Sequence, residues 1–442
     1  MLVLILGTGV YLHIRLGGMP IWRIGAGLRL MWGGRHSEAG MGDVSPYAAL
    51  MTCLAATIGV GNIAGVATAI ALGGPGAMFW MWICALVGMA TKYAEVVLSV
   101  HYRERDADGN FVGGPMYAIK NGLGSRWKWL GTLFAIFGGF AGFGIGNMVQ
   151  ANSIAEALKS SYNVDATITG AVLVIITGIV VVGGIKRVAA VANLLVPVMA
   201  VGFTVASAVV LFGHAAAIPE ALSTIVTHAF TPIAATGGFV GASVAAAIRF
   251  GVARGVFSNE AGLGTAGIAQ AAGASSSPVK SGLIGMIGTF IDTLVMCSMT
   301  GLAIVVSGEW TTGSSGVELT QRAFETVLPG IGGDVIAISV TTFALATIFG
   351  WAYYGERCWQ YLLGKWTIMP YRIVWSLMVF AGAVTHLDTA WSIADSLNAL
   401  MAIPNLIHLL LLSPVVVALT KEQLSSVLAT LNGSGRAATE VS

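Results

Sequence analysis

IGVGNIAG at residues 58–65 and RGVFSNEAGLG at residues 254–264 are glycine-rich stretches that interrupt two long apolar segments of this chain. Each segment is long enough to cross a bilayer, which takes a helix of about 20 apolar residues. Both stretches place polar groups inside these segments, and glycine tolerates backbone conformations that end a helix. About 195 residues, close to half of the chain, separate them. The sequence therefore predicts a broken helix at a corresponding place in each half.

The composition indicates a membrane protein. Hydrophobic residues make up 56% of the chain and charged residues only 10%, whereas a soluble protein typically carries about 25% charged residues. We therefore expect an all-α polytopic membrane protein. The formal net charge of +2 is too small to indicate a nucleic-acid partner. The cysteines lack metal-ligand spacing and are expected to be buried and unpaired. They are Cys53, Cys84, Cys297 and Cys358.

Eleven apolar segments have the length of a membrane-crossing helix. The segment that contains the second glycine-rich stretch is too long for one straight crossing, and Gly255, Gly262 and Gly264 predict where it breaks. The segments lie at about residues 1–16, 46–72, 76–100, 130–157, 166–184, 188–213, 238–270, 281–307, 333–362, 370–387 and 391–418.

Positive charge predicts the orientation, because lysine and arginine concentrate in cytoplasmic loops. If the loop at residues 17–45 is cytoplasmic, all but four of the 22 lysines and arginines lie in cytoplasmic loops or at cytoplasmic helix ends. The loop at residues 308–332, on the other side, carries three glutamates against Arg322. We expect a protein of the cell (inner) membrane with its N-terminus outside and its C-terminus in the cytoplasm.

Ten segments remain when the first helix is set aside, and they divide into two groups of five. Because five is odd, the groups have opposite orientations, and a broken helix begins each one. Inverted five-helix repeats with a broken first helix are typical of the LeuT-type transporter fold, in which the breaks form the binding site. The predicted divisions are an N-terminal membrane helix and cytoplasmic loop (1–45), a first repeat (46–213), an extracellular linker (214–237), a second inverted repeat (238–418) and a cytoplasmic tail (419–442).

The first break predicts a binding site for a cation or a carboxylate. Gly59, Gly61 and Gly65 permit an unwound stretch, whose backbone groups are tolerated in a membrane only where they line a cavity or bind something. Freed carbonyls can coordinate Na⁺, and the N-terminus of the following half-helix can hold a carboxylate. Asn62 adds an amide that donates and accepts. The alternative is a packing face with Asn62 bonded between helices, but the matching second break favours a site.

Phe257, Ser258 and Asn259 belong to the predicted second break. Phe257 could close over a small substrate, while the other two could supply polar contacts.

Three acids lie inside apolar segments, where an ionised carboxylate is costly unless it is paired or hydrated. Glu260 could bind a cation or a substrate amine, but we favour pairing with Arg249 or Arg254. Asp292 and Asp395 could equally pair with one of these arginines rather than touch a ligand.

Polar residues in two other segments are also candidates. Gln150 could bond a substrate, or it could form an interhelical hydrogen bond. Thr347 and Trp351 lie one turn apart on one helical face. The hydroxyl could join carbonyls around Na⁺ and the indole could line a pocket, but from these residues alone we favour a threonine bonded to its own helix beside a packed tryptophan.

Several strings closely resemble the alanine/glycine:cation symporter (AGCS) family, within the wider amino acid–polyamine–organocation group. The resemblance runs from about residue 3 to 418. Its most specific strings are GGPGAMFWMW at 73–82, TKYAE at 91–95, GGPMY at 113–117, RGVFSNEAGLG at 254–264 and PNLI at 404–407.

The resemblance implies a LeuT-type fold with one extra N-terminal helix and Na⁺-coupled uptake of small neutral amino acids, chiefly alanine and glycine, by alternating access. Sodium would lie between the carbonyls of Ala55 and Ile58 and the hydroxyl of Thr347. The substrate carboxylate would meet N–H groups near Gly59, Gly61 and Asn62. By matching motif, the substrate contacts would include Asn62, Gln150, Phe257, Ser258, Asn259 and Trp351.

Two other functions fit the residues. The same fold could couple transport to H⁺ through Glu260 or Asp292, or the chain could be an amino-acid sensor or channel that does not concentrate its solute. An enzyme is not expected, because the sequence has no Walker-type loop, HExxH or GxSxG. The expected partners are a small neutral amino acid, Na⁺ and the lipid bilayer, with the protein acting as a monomer.

Overall fold

The computed structural model describes residues 1–33, 42–275 and 277–439, which fold almost entirely into helices. Two short strands, β1 (Glu104–Arg105) and β2 (Phe111–Val112), pair antiparallel. The helices are α1 (Leu2–Arg15), α2 (Met19–Trp22), α3 (Ile24–Gly33), α4 (Pro46–Thr57), α5 (Ala64–Gly73), α6 (Gly76–His101), α7 (Pro115–Ala118), α8 (Lys128–Ala141), α9 (Val149–Tyr162), α10 (Ala166–Val181), α11 (Gly184–Gly213), α12 (Ile218–Phe230), α13 (Val244–Asn259), α14 (Ala266–Ala272), α15 (Pro278–Thr289), α16 (Ser298–Ser307), α17 (Gly316–Glu325), α18 (Gly332–Leu363), α19 (Ile368–Val384) and α20 (Leu387–Thr439).

Helices lie in all eleven predicted membrane segments, so the all-α membrane fold is confirmed. Within the described residues, seven helices are long and apolar enough to cross a bilayer, and the bent pair α4–α5 makes an eighth. The apolar helices α1 and α10 are shorter, with 14 and 16 residues. All four cysteines are free and buried, as expected.

The first break bends the chain by 57° between α4 and α5. Ser45 caps the start of α4 by accepting a hydrogen bond from the Ala48 N–H, and Pro46 occupies the first helical position, where its missing N–H costs nothing. The helix ends at Thr57, and a single 3₁₀ turn, Val60–Asn62, precedes α5. The predicted break at residues 58–65 is therefore present.

The second break begins later than the sequence predicted. α13 starts at Val244 rather than near residue 238 and continues through Asn259, so Gly255, Phe257, Ser258 and Asn259 are helical. The chain leaves the helix at Glu260, whose φ of 57° is uncommon for a residue with a side chain, and Gly262 and Gly264 follow with φ of 96° and 81°. α14 then resumes the same segment. Positive φ at these positions ends the helix, whereas Gly255 serves close packing against Cys84 of α6.

Two π-helical stretches continue the helices that surround the breaks. Gly142–Met148 joins α8 to α9, and Phe290–Cys297 joins α15 to α16. Such π-bulges are frequent at functional sites because they shift the register of backbone hydrogen bonds. The freed Ile145 carbonyl accepts a 2.9 Å bond from the Gln150 amide, which fixes that side chain.

Several predicted loops contain short elements. The linker predicted at 214–237 contains α12, and the outside loop predicted at 308–332 contains α17. These helices escaped prediction because 13 and 10 residues are too few for a membrane crossing. The β-hairpin and the residue before it contact the end of α14 and the segment before α4. Arg103 donates to the Ala271 and Gly273 carbonyls, and Asp43 accepts from the Phe111 N–H. The division into two repeats remains a prediction.

Candidate functional site

Two buried amides hold the backbone of the first break. The Asn62 side-chain oxygen accepts a 2.9 Å hydrogen bond from the Gly59 N–H, and the Gln150 oxygen accepts a 3.2 Å bond from the Val60 N–H. Both amides are almost completely buried. Gln150, at the start of α9 in the third membrane segment of the first half, thus reaches the break itself, and both side chains bind backbone donors that a helix break would otherwise leave unsatisfied.

Asp292 joins the two broken helices. The Asn62 amide donates to the Asp292 side-chain oxygen at 2.7 Å and to its carbonyl at 3.0 Å. The second carboxylate oxygen accepts from the hydroxyls of Ser258 and Thr293, each at 2.8 Å. Neither Arg249 nor Arg254 is its partner in this network, so its role is to connect Asn62 in the first break with Ser258 beside the second.

Three oxygens meet where the first break touches α18. The Thr347 hydroxyl donates to the Ala55 carbonyl at 3.2 Å and lies 3.5 Å from the Ile58 carbonyl. Gly59 allows this approach, because a Cβ there would lie against the Thr347 side chain. Thr347 therefore bonds across helices rather than to its own helix. Carbonyl and hydroxyl oxygens are hard donors of the kind that alkali and alkaline-earth cations accept.

Glu260 binds the second break to α18, and the expected pairing with an arginine is wrong. One carboxylate oxygen accepts a 2.6 Å hydrogen bond from the Trp351 indole, and the other accepts from the Thr265 hydroxyl. The directions that the two residues face explain the error. Glu260 follows the last residue of α13 and its left-handed backbone turns towards α18, whereas Arg254 lies more than a turn earlier and faces α20.

The remaining candidates of the second segment face different neighbours. The Asn259 side-chain oxygen accepts from the Ala261 N–H of its own segment, and its amide donates to the Thr293 hydroxyl of the stretch Phe290–Cys297. The Phe257 ring packs at a tilt against Trp391, with 4.5 Å between ring centroids. A Cβ on Gly61 would lie 3.2 Å from the Phe257 ring and from the Ser258 backbone. The first break therefore approaches the last turn of α13, directly before the second break, at Gly61.

An ion pair lies one helical turn from Phe257 on the side of the break predicted to face outside. Arg254 binds Asp395 of α20 at 2.8 Å, which confirms the pairing considered for Asp395. The Arg254 side chain is 8% exposed and that of Asp395 is 44% exposed. The guanidinium also lies over the Trp391 ring, 4.2 Å from its centroid. Together these groups cover Phe257 on that side.

Sequence reasoning missed a second set of buried polar residues. One oxygen of Glu95 accepts from the N–H groups of Gly262 (2.9 Å) and Gly264 (3.0 Å) and from the Asn405 amide (2.8 Å). Lys92, one turn earlier on α6, is 1% exposed, and its ammonium has no hydrogen-bond partner among the described residues. Its charge acts on both Glu95 and Glu260. A lysine and a glutamate three residues apart in an apolar segment were the available signal.

Comparison with known proteins shows the family of this chain. The profile of the family described as "Sodium:alanine symporter family" matches residues 1–431. The chain belongs to the sodium:alanine symporter family. It is 50% identical over 427 residues to the sodium/alanine symporter AgcS of Methanococcus maripaludis, covering 95% of this chain and 93% of that protein. It is 36% identical over 420 residues to the amino-acid carrier protein AlsT of Bacillus subtilis, covering 95% and 88%.

The fold of this family member also resembles a solved transporter. The crystal structure of MhsT in complex with L-phenylalanine superposes with a TM-score of 0.59, covering 84% of this chain and 96% of that one at 14% sequence identity. At that identity the likeness shows the LeuT-type fold alone. The symporter-family chain is therefore a multi-pass membrane transporter of the Na⁺-coupled amino-acid symporter class, not an enzyme.

Proposed function

We propose that this chain carries small neutral amino acids, chiefly alanine and glycine, into the cell together with Na⁺ by alternating access. The observation that carries the proposal is the meeting of the Ala55 and Ile58 carbonyls with the Thr347 hydroxyl at the first break. The cell membrane, an outside N-terminus, a cytoplasmic C-terminus and a single working chain belong to the proposal.

Sodium would act by joining two helices. A cation among the three oxygens replaces the Thr347 hydrogen bonds with ion–oxygen contacts, which join α4 and α18 more strongly than the hydroxyl alone does. Fixing Ile58 also fixes Gly59 and Asn62, the next polar groups of the break. Na⁺ binding thus prepares the neighbouring substrate position.

The size of the substrate would be limited where the two breaks meet. The close approach of Gly61 to Phe257 and Ser258 leaves little room for a side chain, and the Trp351 indole is held by Glu260. A substrate carboxylate would compete with the Asn62 and Gln150 oxygens for the N–H groups of Gly59 and Val60, while a substrate amine could use those same oxygens. Resemblance to a relative named for sodium and alanine supports this choice.

The membrane potential would drive uptake. Each positive charge that enters with the substrate gains about 2.3 kcal/mol per 100 mV. A neutral amino acid with one Na⁺ moves one such charge.

Labelled alanine uptake into proteoliposomes tests the proposal, with an inward Na⁺ gradient and an inward H⁺ gradient imposed separately. Asn62→Ala removes the amide that connects the first break to Asp292, and Asn121→Ala, an exposed asparagine in a predicted cytoplasmic loop, is the control. We expect accumulation with Na⁺ alone, lost in Asn62→Ala and kept in the control. Accumulation with H⁺ alone would move the coupling to Glu260 or Asp292, and no accumulation under either gradient would favour a sensor or channel.

A further inference from the structure

A cleft between the N-terminal and C-terminal helices carries unbalanced positive charge. The cleft has a volume of about 580 Å³ and is lined by Arg15 at the end of α1, by Arg23, and by Lys421 of α20. A smaller cleft of about 250 Å³ shares Arg23 and adds Arg29. All four side chains are exposed. Three cations thus line the larger cleft, and Arg23 belongs to both clefts.

No acidic side chain balances these four cations within the part of the chain that the structure describes. The ion pairs between described residues lie elsewhere, and neither cleft has an aspartate or glutamate among the described residues of its wall. Arg15 donates one N–H to the Tyr11 hydroxyl, which contacts Ser413 of α20, and keeps its other donors for a ligand. Like charges gathered without a counter-ion repel one another, so an anion bound among them is favoured.

The walls of the cleft are apolar. Ile14, Val417 and Leu424 line it beside the basic residues. Ile14 is 75% exposed, and Trp22 in the adjoining cleft is 78% exposed. Exposed tryptophan beside arginine is typical of the boundary between hydrocarbon and headgroups. The end of α1 and the C-terminal part of α20, which line the cleft, both lie on the side predicted to be cytoplasmic.

We propose that this cleft binds one anionic diacyl phospholipid. Its phosphate lies among Arg15, Arg23 and Lys421, and its acyl chains run along the aliphatic wall. Basic pockets between membrane helices on the cytoplasmic side bind such headgroups. A free phosphate would use the cations and leave Ile14 and Val417 uncovered, so the apolar wall favours the lipid. The bound lipid bridges α1 and α20 and stabilises the packing of the N-terminal helix against α20.

Lipid binding to the purified full chain in detergent tests this proposal. Native mass spectrometry counts bound lipid while phosphatidylglycerol or phosphatidylcholine is titrated, and thermal unfolding is followed in parallel. The variant Arg23→Gln/Lys421→Gln removes two of the cations. The control, Arg126→Gln/Lys186→Gln, removes two exposed basic residues from other predicted cytoplasmic loops.

We expect the wild type to prefer phosphatidylglycerol and to melt at a higher temperature with it. The affinity for that lipid should fall about 30-fold in the double variant and stay unchanged in the control, as expected from the contribution of each basic side chain near an anionic surface. If the double variant cannot be purified, Lys421→Gln alone should lower the affinity about fivefold.

Three results would overturn the proposal. The wild type would bind both lipids equally, the double variant would keep the phosphatidylglycerol affinity of the control, or soluble glycerophosphoglycerol would compete as well as the lipid. The last result would identify a site for a free phosphate compound rather than for a lipid.

Discussion

The two helix breaks look alike in sequence but are held by different chemistry. At the first break, the neutral amide oxygens of Asn62 and Gln150 accept hydrogen bonds from the freed N–H groups, and two carbonyls face the hydroxyl of Thr347. At the second break, the carboxylate of Glu95 accepts two N–H groups and Glu260 binds α18, with Lys92 close to both acids.

This difference assigns different tasks to the two breaks. Neutral hydrogen bonds contribute about 1 kcal/mol each, whereas those of charged groups contribute about 1.5–3 kcal/mol. We infer that the first break can exchange the bonds that its N–H groups make to the Asn62 and Gln150 oxygens at less cost, whereas the bond of Asn62 to the Asp292 carboxylate stays in place. We therefore expect the second break to be the more fixed of the two, the side against which the first one changes.

Removing the buried cation of Lys92 should have the largest effect on stability, because the substitution removes a charge beside the second break, which we expect to be the fixed one. Lys92→Met leaves Glu95 and Glu260 without a balancing charge, and breaking a buried charge cluster in this way costs about 3–5 kcal/mol. We expect that decrease in the free energy of unfolding, measured by thermal or denaturant unfolding in detergent.

The matched control for Lys92 restores neutrality. Lys92→Met/Glu95→Gln removes one charge of each sign and should regain part of the lost stability, since glutamine keeps one acceptor for the Gly262 and Gly264 N–H groups. If Lys92→Met alone stabilises the protein, then Lys92 is an unbalanced charge rather than the partner of the acids, and the second break is not a fixed element.

Removing the Thr347 hydroxyl should weaken Na⁺ binding without unfolding the protein. This substitution therefore tests whether the first break is the one that exchanges its hydrogen bonds for contacts with an ion. Thr347→Val deletes one of the three oxygens, and loss of a charged contact worth about 1.5–3 kcal/mol raises the half-saturating Na⁺ concentration about 10–100-fold. Thr347→Ser keeps the hydroxyl and should transport normally. Thr341→Val, whose hydroxyl bonds only to the Ala337 carbonyl of its own helix, is the control on α18. An unchanged Na⁺ dependence in Thr347→Val would place the ion elsewhere.

The point where the breaks meet should determine substrate size. Gly61 has no positive φ, so Gly61→Ala adds only a methyl group, 3.2 Å from Phe257. The ratio of kcat/KM for glycine over alanine should rise about tenfold, the usual discrimination of one methyl group in a tight pocket. Gly65→Ala is the control, because its nearest neighbour, the Val60 carbonyl, would be 3.8 Å away. An equal decrease in kcat/KM for glycine and for alanine would show that Gly61 serves packing and does not determine substrate size.

The sequence predicted the place of the first break and placed the second a few residues too early, at Phe257 rather than Glu260, and it did not predict how each is held. Glycine clusters in apolar segments mark breaks because they are local signals, and the helix count follows from hydropathy. The Thr347 contact with Ala55 followed only from the family resemblance, since 292 residues separate them. The role of Glu95 was missed because its partners are backbone N–H groups, which have no signature in the side-chain sequence. Glu260 was assigned to an arginine because charge alone, without distance, suggested it.

The smallest effect is expected at the exposed side of the second broken helix. Asp395→Asn removes the charge that pairs with Arg254, but Asp395 is 44% exposed, and exposed ion pairs contribute about 0–1 kcal/mol. Arg254 also keeps its position over Trp391 after the substitution, so the KM for alanine should change at most about fivefold. Trp391→Ala removes the ring that contacts both Arg254 and Phe257 and should raise the KM more than Asp395→Asn does. If Asp395→Asn proves the more damaging, the ion pair rather than the aromatic stack closes this side, and the second broken helix moves during transport instead of serving only as the fixed side.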